Sequence, residues 1–298
     1  MPERFHTLLP ARAALCVAGE DRRTFLQGLV SSDATKVDAT HARHAAFLSA
    51  QGRFLHEFFM LAVGEAIHLD AEAARLDDLA RRLKLYKLRA KVTLAPSAGL
   101  VVAAFWGENA AAAFGLPDEA GAAKELAGGA VYADPRLPAL GVRALLPEAG
   151  VAALAAEHGF AAATPEAYDR LRLSLGVPDG SRDLPVDGAL LLENGFDELG
   201  GVDWKKGCYV GQEVTARMKY RALVRKRLMP VRIDGPAPPA GTRVMLGDAE
   251  AGEMRSAAGD LGLALLRIES VEKAAADGTA LVAGEAKLVP HKPGWANF

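Results

Sequence analysis

Apolar and polar positions follow two rhythms along this chain, one of strands and one of helices. Residues 13–17 form a short unbroken apolar run, which predicts a buried strand. Gly19-Glu20-Asp21 then opens a helix, with Asp21 as N-cap and Phe25, Leu26 and Leu29 on one face. Residues 47–49 and 54–63 predict strands around a Gln51-Gly52 turn, and 67–69 pairs back after Gly64-Glu65. The period changes to that of a helix over about 71–85, with Leu76, Leu79 and Leu83 inward. Residues 92–94 and 101–105 are further strands, and 148–158 is a second long helix. Thr164-Pro165-Glu166 starts another, which Gly176 ends. Residues 178–185 read as an exposed loop. Arg217, Lys219 and Arg221 alternate with Ala216, Met218 and Tyr220, which predicts a strand with one basic face. Composition shifts at Gly235-Pro236-Ala237-Pro238-Pro239, a stiff turn or linker. Beyond it, apolar runs at 243–246, 261–268 and 286–289 are separated by glycines and predict a small all-β barrel. Residues 270–278 read as an inserted turn and short helix.

Strands alternating with helices and hairpins place the chain in the α+β class, built from ferredoxin-like units. At 298 residues it is long for one core. The expected division is an α+β region over 1–232, made of two intertwined subdomains, and the barrel over 233–298. Thirty-five basic and 37 acidic side chains leave a formal charge of −2, so no global pull toward nucleic acid or an anionic membrane exists. No apolar run approaches the ~20 residues that span a bilayer. Met1-Pro2-Glu3-Arg4 lacks the apolar core of a signal peptide, so the expected compartment is the cytoplasm.

The two cysteines, Cys16 and Cys208, make no disulfide framework and fall short of the four thiolates an iron–sulfur cluster takes. His41, His44, His56 and His68 are scattered without metal-ligand spacing, so no metal site is assigned. The most distinctive stretch is Trp204-Lys205-Lys206-Gly207-Cys208-Tyr209-Val210-Gly211-Gln212-Glu213. Two lysines precede the cysteine, and positive charge favours the nucleophilic, metal-competent thiolate. Gly207 and Gly211 free the backbone to turn on either side. Cys208 is therefore the candidate reactive residue, with Lys206, Gly207, Tyr209, Gly211, Gln212 and Glu213 as its loop. Cys16, in an apolar run, is expected to be buried and inert. The basic residues Arg217 to Arg227 suit either a solvated edge or an anion site.

Lys206-Gly207-Cys208-Tyr209-Val210-Gly211-Gln212-Glu213 resembles the signature of the YgfZ family, folate-binding proteins related to the aminomethyltransferase GcvT. Phe25-Leu26-Gln27-Gly28, Ser31-Ser32-Asp33, Ala50-Gln51-Gly52-Arg53 and Gly176-Val177-Pro178-Asp179-Gly180 resemble other segments of that family. Leu184-Pro185 and Arg225-Lys226-Arg227-Leu228 resemble its branch related to a mitochondrial iron–sulfur assembly factor. The resemblance implies a GcvT-like ring of subdomains and tetrahydrofolate, or a one-carbon derivative, as ligand. It implies a role in assembly or repair of iron–sulfur clusters, with assembly proteins or client enzymes as partners. Glu193 is the expected pterin contact, Tyr168 an aromatic contact, and Arg217 and Arg227 anion contacts for a glutamate tail. True aminomethyltransferases carry tandem aspartates where this chain reads Gln51-Gly52-Arg53-Phe54-Leu55-His56-Glu57, which argues against one-carbon transfer. An RNA-binding or RNA-modifying role is disfavoured by the net charge and few aromatics.

Overall fold

The computed structural model describes residues 3–222 and 224–298; Met1 and Pro2 of the N-terminal stretch read above lie outside them. Packing divides the chain into two units. One holds the chain up to Leu48, Leu55–Tyr168 and Leu199–Val210; the other holds Ser49–Phe54, Asp169–Glu198 and Gly211–Phe298.

The first unit contains two sheets. One is five-stranded, in the order Arg43–Leu48, Phe54–Val63, Ala66–Glu72, Arg12–Ala18, Thr93–Pro96. The other is six-stranded, in the order Ala161–Ala162, Arg4–Leu8, Val101–Gly107, Val142–Leu146, Gly129–Ala133, Ala123–Leu126. The strand over 54–63 is apolar apart from His56 and Glu57, as suits a strand buried on both faces. Period-two alternation sends Phe58 and Met60 to a core shared with Phe25, Leu26, Leu79 and Leu83 of the two helices Arg22–Gln27 and Leu76–Lys87. It sends Phe59 and Leu61 to the opposite core, against Val102, Tyr132 and Leu145 of the other sheet.

Several expected elements shift, each for a local reason. The helix expected from about 71 starts at Leu76, because Ala66–Glu72 stays extended, pairing Arg12 with Glu72 and Leu15 with Leu69. Asp21 precedes the Arg22–Gln27 helix without capping it; its carboxylate accepts instead from the Lys91 backbone N–H at 2.7 Å. The basic strand expected around 216–221 is a helix, Gln212–Tyr220. A helix places Arg217 and Tyr220 outward and Thr215 and Met218 inward, a three-residue spacing that sets Tyr220 on the face opposite the one alternation gave it. The loop expected at 178–185 contains a short helix, Gly180–Asp183, whose Asp183 is fully buried against Arg172 and Ser256.

The second unit carries a closed six-stranded barrel, in which Lys226–Asp234 neighbours Leu261–Arg267 and Ala286–Pro290. Met229, Val231, Val244, Met254, Leu266 and Leu288 are among the side chains of its core. The barrel's first strand starts at Lys226, ahead of the boundary expected at 233, because Gly235–Pro239 turns between two barrel strands. The helix expected within it is Ile268–Asp277.

Candidate functional site

The loop around Cys208 is anchored from its first half. Lys206 Nζ donates to the backbone carbonyls of Gln27 and Val30, at 2.5 and 2.7 Å, where the Arg22–Gln27 helix ends. Such carbonyls lack helical partners, so an ammonium satisfies them well. Gln27 answers by donating from Nε2 to the Lys206 carbonyl at 3.0 Å, and Val210 N–H donates to Gly28 O at 3.2 Å. Burial pulls the Lys206 ammonium down to about 8. Its Nζ also lies 4.9 Å from the ring centre of Tyr209, which is buried. Asp203 accepts from the Lys205 N–H at 2.8 Å and pairs with Lys36 at 2.6 Å. Burial works against its charge, but Lys36 outweighs it and holds the carboxyl below its usual range. Between these anchors Cys208 is exposed, and Gly207 sits at a φ of +90° with open space where a Cβ would stand. The positive φ, not crowding, is what calls for glycine there.

The second half of the motif falls in the second unit. Gly211, at φ +81°, precedes the Gln212–Tyr220 helix, with Glu213 exposed in its first turn. A Cβ on Gly52 would meet Gly211 O at 2.7 Å and Val214 Cβ at 2.9 Å. The Gln51-Gly52 turn therefore packs against the start of this helix, which explains its glycine.

The expected ligand contacts divide between the two units, with Tyr168 in the first and Glu193, Arg217 and Arg227 in the second. Glu193 lies in the Leu191–Asn194 turn of the second unit, partly buried. Burial raises its carboxyl, moderated by Lys226, Arg53 and Arg255. Arg217 is exposed on its helix. Arg227 is buried and already committed: it donates to Leu192 O and Glu198, and its guanidinium stacks 4.6 Å from the Phe298 ring centre. Tyr168 belongs to the first unit, buried 5.2 Å from the ring centre of Trp106, and burial pushes its hydroxyl up to about 12. Tested against a folate, Glu193 and Arg217 have a group to offer. Tyr168 lies buried beside Trp106, and Arg227 is already paired with Glu198. Of the scattered histidines, His44 contacts Leu199 O at 3.0 Å, His56 contacts Asp78 at 3.0 Å and His68 contacts Ser97 at 2.8 Å. Cys16 is half-buried in its strand, and burial raises its thiol.

One cluster had no forewarning in the motif analysis. In the first unit, the guanidinium carbons of Arg12, Arg136 and Arg143 lie 5.1, 4.8 and 4.7 Å from the ring centre of Phe59. Asp70 pairs with Arg12 and Arg143, each at 2.8 Å, and accepts from Tyr132 Oη at 2.6 Å. Asp134 pairs with Arg136 at 2.8 Å, and Glu57 lies 3.0 Å from His44 and 3.6 Å from Arg136. Burial opposes all three carboxylates' charges; the arginines, and His44 for Glu57, outweigh it and lower them. The available signal was charge inside apolar strands, as at Asp70 and Arg143. This cluster also accounts for Glu57, which is buried and held between His44 and Arg136.

Comparison with known proteins decides the family. The model of the CAF17 C-terminal beta-barrel domain matches residues 225–298. The human mitochondrial iron–sulfur cluster assembly factor IBA57 is 33% identical, over 89% of this chain and 78% of its own length. The chain belongs to the IBA57 family. The mouse protein of that family is 32% identical over the same shares, and a homologue from Coccidioides immitis is 29% identical over 99% of this chain and 83% of its own. Glycine cleavage system aminomethyltransferase T of Bartonella henselae superposes with a TM-score of 0.77, covering 99% of this chain and 87% of that one at 15% identity. That likeness establishes the GcvT-like mixed α/β fold with its closed barrel and nothing more. The YgfZ resemblance thus resolves into membership of the related IBA57 family. These relatives are named as mitochondrial proteins, which overturns the expectation of a cytoplasmic compartment.

Proposed function

We propose that this chain supports assembly or repair of iron–sulfur clusters in client proteins, with Cys208 as the thiol that engages the cluster. The observation that carries the reading is the exposed cysteine on a loop whose base is fixed by Lys206, in a chain of the IBA57 family. The cluster is cargo. It takes four ligands, and Cys208 is one exposed thiol, so the others come from a second protein. Lys205, exposed beside Lys206, adds positive charge that favours the thiolate.

A reduced folate is the small-molecule part of the reading. Glu193 offers a carboxylate to the amino and ring N–H donors of a pterin, and Arg217 offers a cation to the glutamate tail. One-carbon transfer is the weaker reading, because the aspartate pair is absent and Glu57 is occupied by His44 and Arg136. The test is cluster reconstitution of an apo client enzyme with iron, sulfide and the chain. Wild type raises the rate and yield of active client, and Cys208→Ala does not. Equal activity of the two proteins refutes the role of Cys208. Calorimetry with tetrahydrofolate tests the folate part separately: saturable heat that Glu193→Gln weakens supports it, and no heat removes it.

A further inference from the structure

The Leu76–Lys87 helix ends on an unusual surface. Leu85, Tyr86 and Leu88 are 68%, 41% and 89% exposed within four positions. Leu88 stands at φ +42°, a conformation in which a bulky residue is strained. The same segment is strongly basic. Residues 79–107 contain no aspartate or glutamate, while Arg81, Arg82, Lys84, Lys87, Arg89 and Lys91 crowd its start. Arg81 and Arg82 pair with Asp78, and Lys91 pairs with Glu20. Lys84, Lys87 and Arg89 form no ion pair among the described residues. Charges left uncompensated beside exposed leucines suit an acidic, partly apolar partner.

This surface adjoins the thiol loop through a short chain of contacts in one unit. Tyr86 sets its edge on Phe47, ring centres 6.0 Å apart. Phe47 pairs with Val30 in a β-bridge, and Val30 O accepts from Lys206 Nζ. Val210, on the other side of Cys208, packs on the same core. The patch and the thiol loop are thus tied to one packed core of the first unit.

We propose that the basic, apolar patch of Leu85, Tyr86, Leu88, Lys84, Lys87 and Arg89 docks an acidic protein that brings the cluster and the thiolates Cys208 lacks. The proposal rests on the reading of Cys208 as a cluster-engaging thiol. A thiolate-bound cluster is itself anionic, so the charge of its carrier and that of its cargo favour the same surface. The leucines supply apolar area at the centre of the contact, and the cations supply orientation and encounter rate.

The test measures binding and visible circular dichroism of cluster transfer, using a purified acidic carrier loaded with a [2Fe–2S] cluster. The full chain is compared with Leu85→Ser/Leu88→Ser, Lys84→Glu/Lys87→Glu/Arg89→Glu and Cys208→Ser, all checked by thermal melting. Because Lys84, Leu85, Leu88 and Arg89 are exposed and Lys87 half-exposed, the variants keep the wild-type melt; the single Leu88→Ser serves where the double does not. Both patch variants weaken carrier binding roughly tenfold or more, and the charge variant also flattens its salt dependence. Cys208→Ser keeps most of the binding and loses transfer. Folded patch variants that bind and transfer like wild type overturn the docking surface and leave the Cys208 reading standing. Loss of transfer in neither Cys208→Ser nor the patch variants overturns both. Vesicles containing one-third anionic phospholipid are the last arm: patch-dependent binding to them, with carrier binding unchanged, assigns the surface to lipid and overturns the proposal.

Discussion

The first unit holds two groups of cations that are used in opposite ways. Around Phe59, three arginines meet three carboxylates in a buried cluster, and every charge has a nearby opposite. At the thiol loop, Lys206 meets backbone carbonyls instead, and the residue it positions is exposed. The difference separates architecture from chemistry. Compensated charge between two sheets fixes how they pack. An ammonium bound to neutral carbonyls retains its charge near a thiol and ties the loop to a helix end.

The comparison breaks first at the buried cluster. Arg143→Ala leaves Asp70 with less compensation in a fully buried place, and should cost about 3–5 kcal/mol in urea unfolding. Replacing that charge at little cost would mean that water reaches the cluster. His56 supplies the next effect. Burial, reinforced by Arg75 and outweighing its contact with Asp78, lowers its pKa from 6.5 to about 4. Below pH 6.5 the unfolded chain takes up a proton that the folded chain refuses until about pH 4. The unfolded state therefore binds more protons across that window, and stability falls as pH falls through it, by roughly 3 kcal/mol in total. His56→Gln should flatten the stability profile between these limits; an unaltered profile assigns the acid sensitivity elsewhere.

Strand rhythm made the sheets and the barrel legible, because buried strands carry unbroken or alternating apolar runs whatever their partners. The Leu79 and Leu83 face of the helix was legible for the same reason. Its start was not, since pairing of Arg12 with Glu72 is a long-range contact that local pattern does not encode. Nor was the helical state of 212–220, where Arg217 and Met218 satisfy either period over so few residues. The cysteine loop was legible as a motif, yet the work of Lys206 was not. Its partners are the carbonyls of Gln27 and Val30, far away in sequence, and a carbonyl leaves no mark on residue type. Arg227 shows the converse: a basic residue expected to await a ligand is paired with Glu198.

Lys206 gives the third prediction. Lys206→Ala should destabilise by about 1–3 kcal/mol, since it strips a donor from two carbonyls, that of buried Val30 included. Thermal melting checks this, and increased proteolysis near residue 206 would show the loop released. A smaller effect concerns the thiols. Cys208 should alkylate faster than Cys16, whose thiol is raised by burial, and peptide mapping over time decides it.

The central claim is that Cys208 serves chemistry and not packing. The direct measurement pairs the melting temperature of Cys208→Ala with its ability to restore an iron–sulfur enzyme in cells lacking a family member. An exposed side chain contributes little to packing, so stability should change by less than about 0.5 kcal/mol while restoration is lost. Full restoration by the variant, at unchanged stability, would contradict the account.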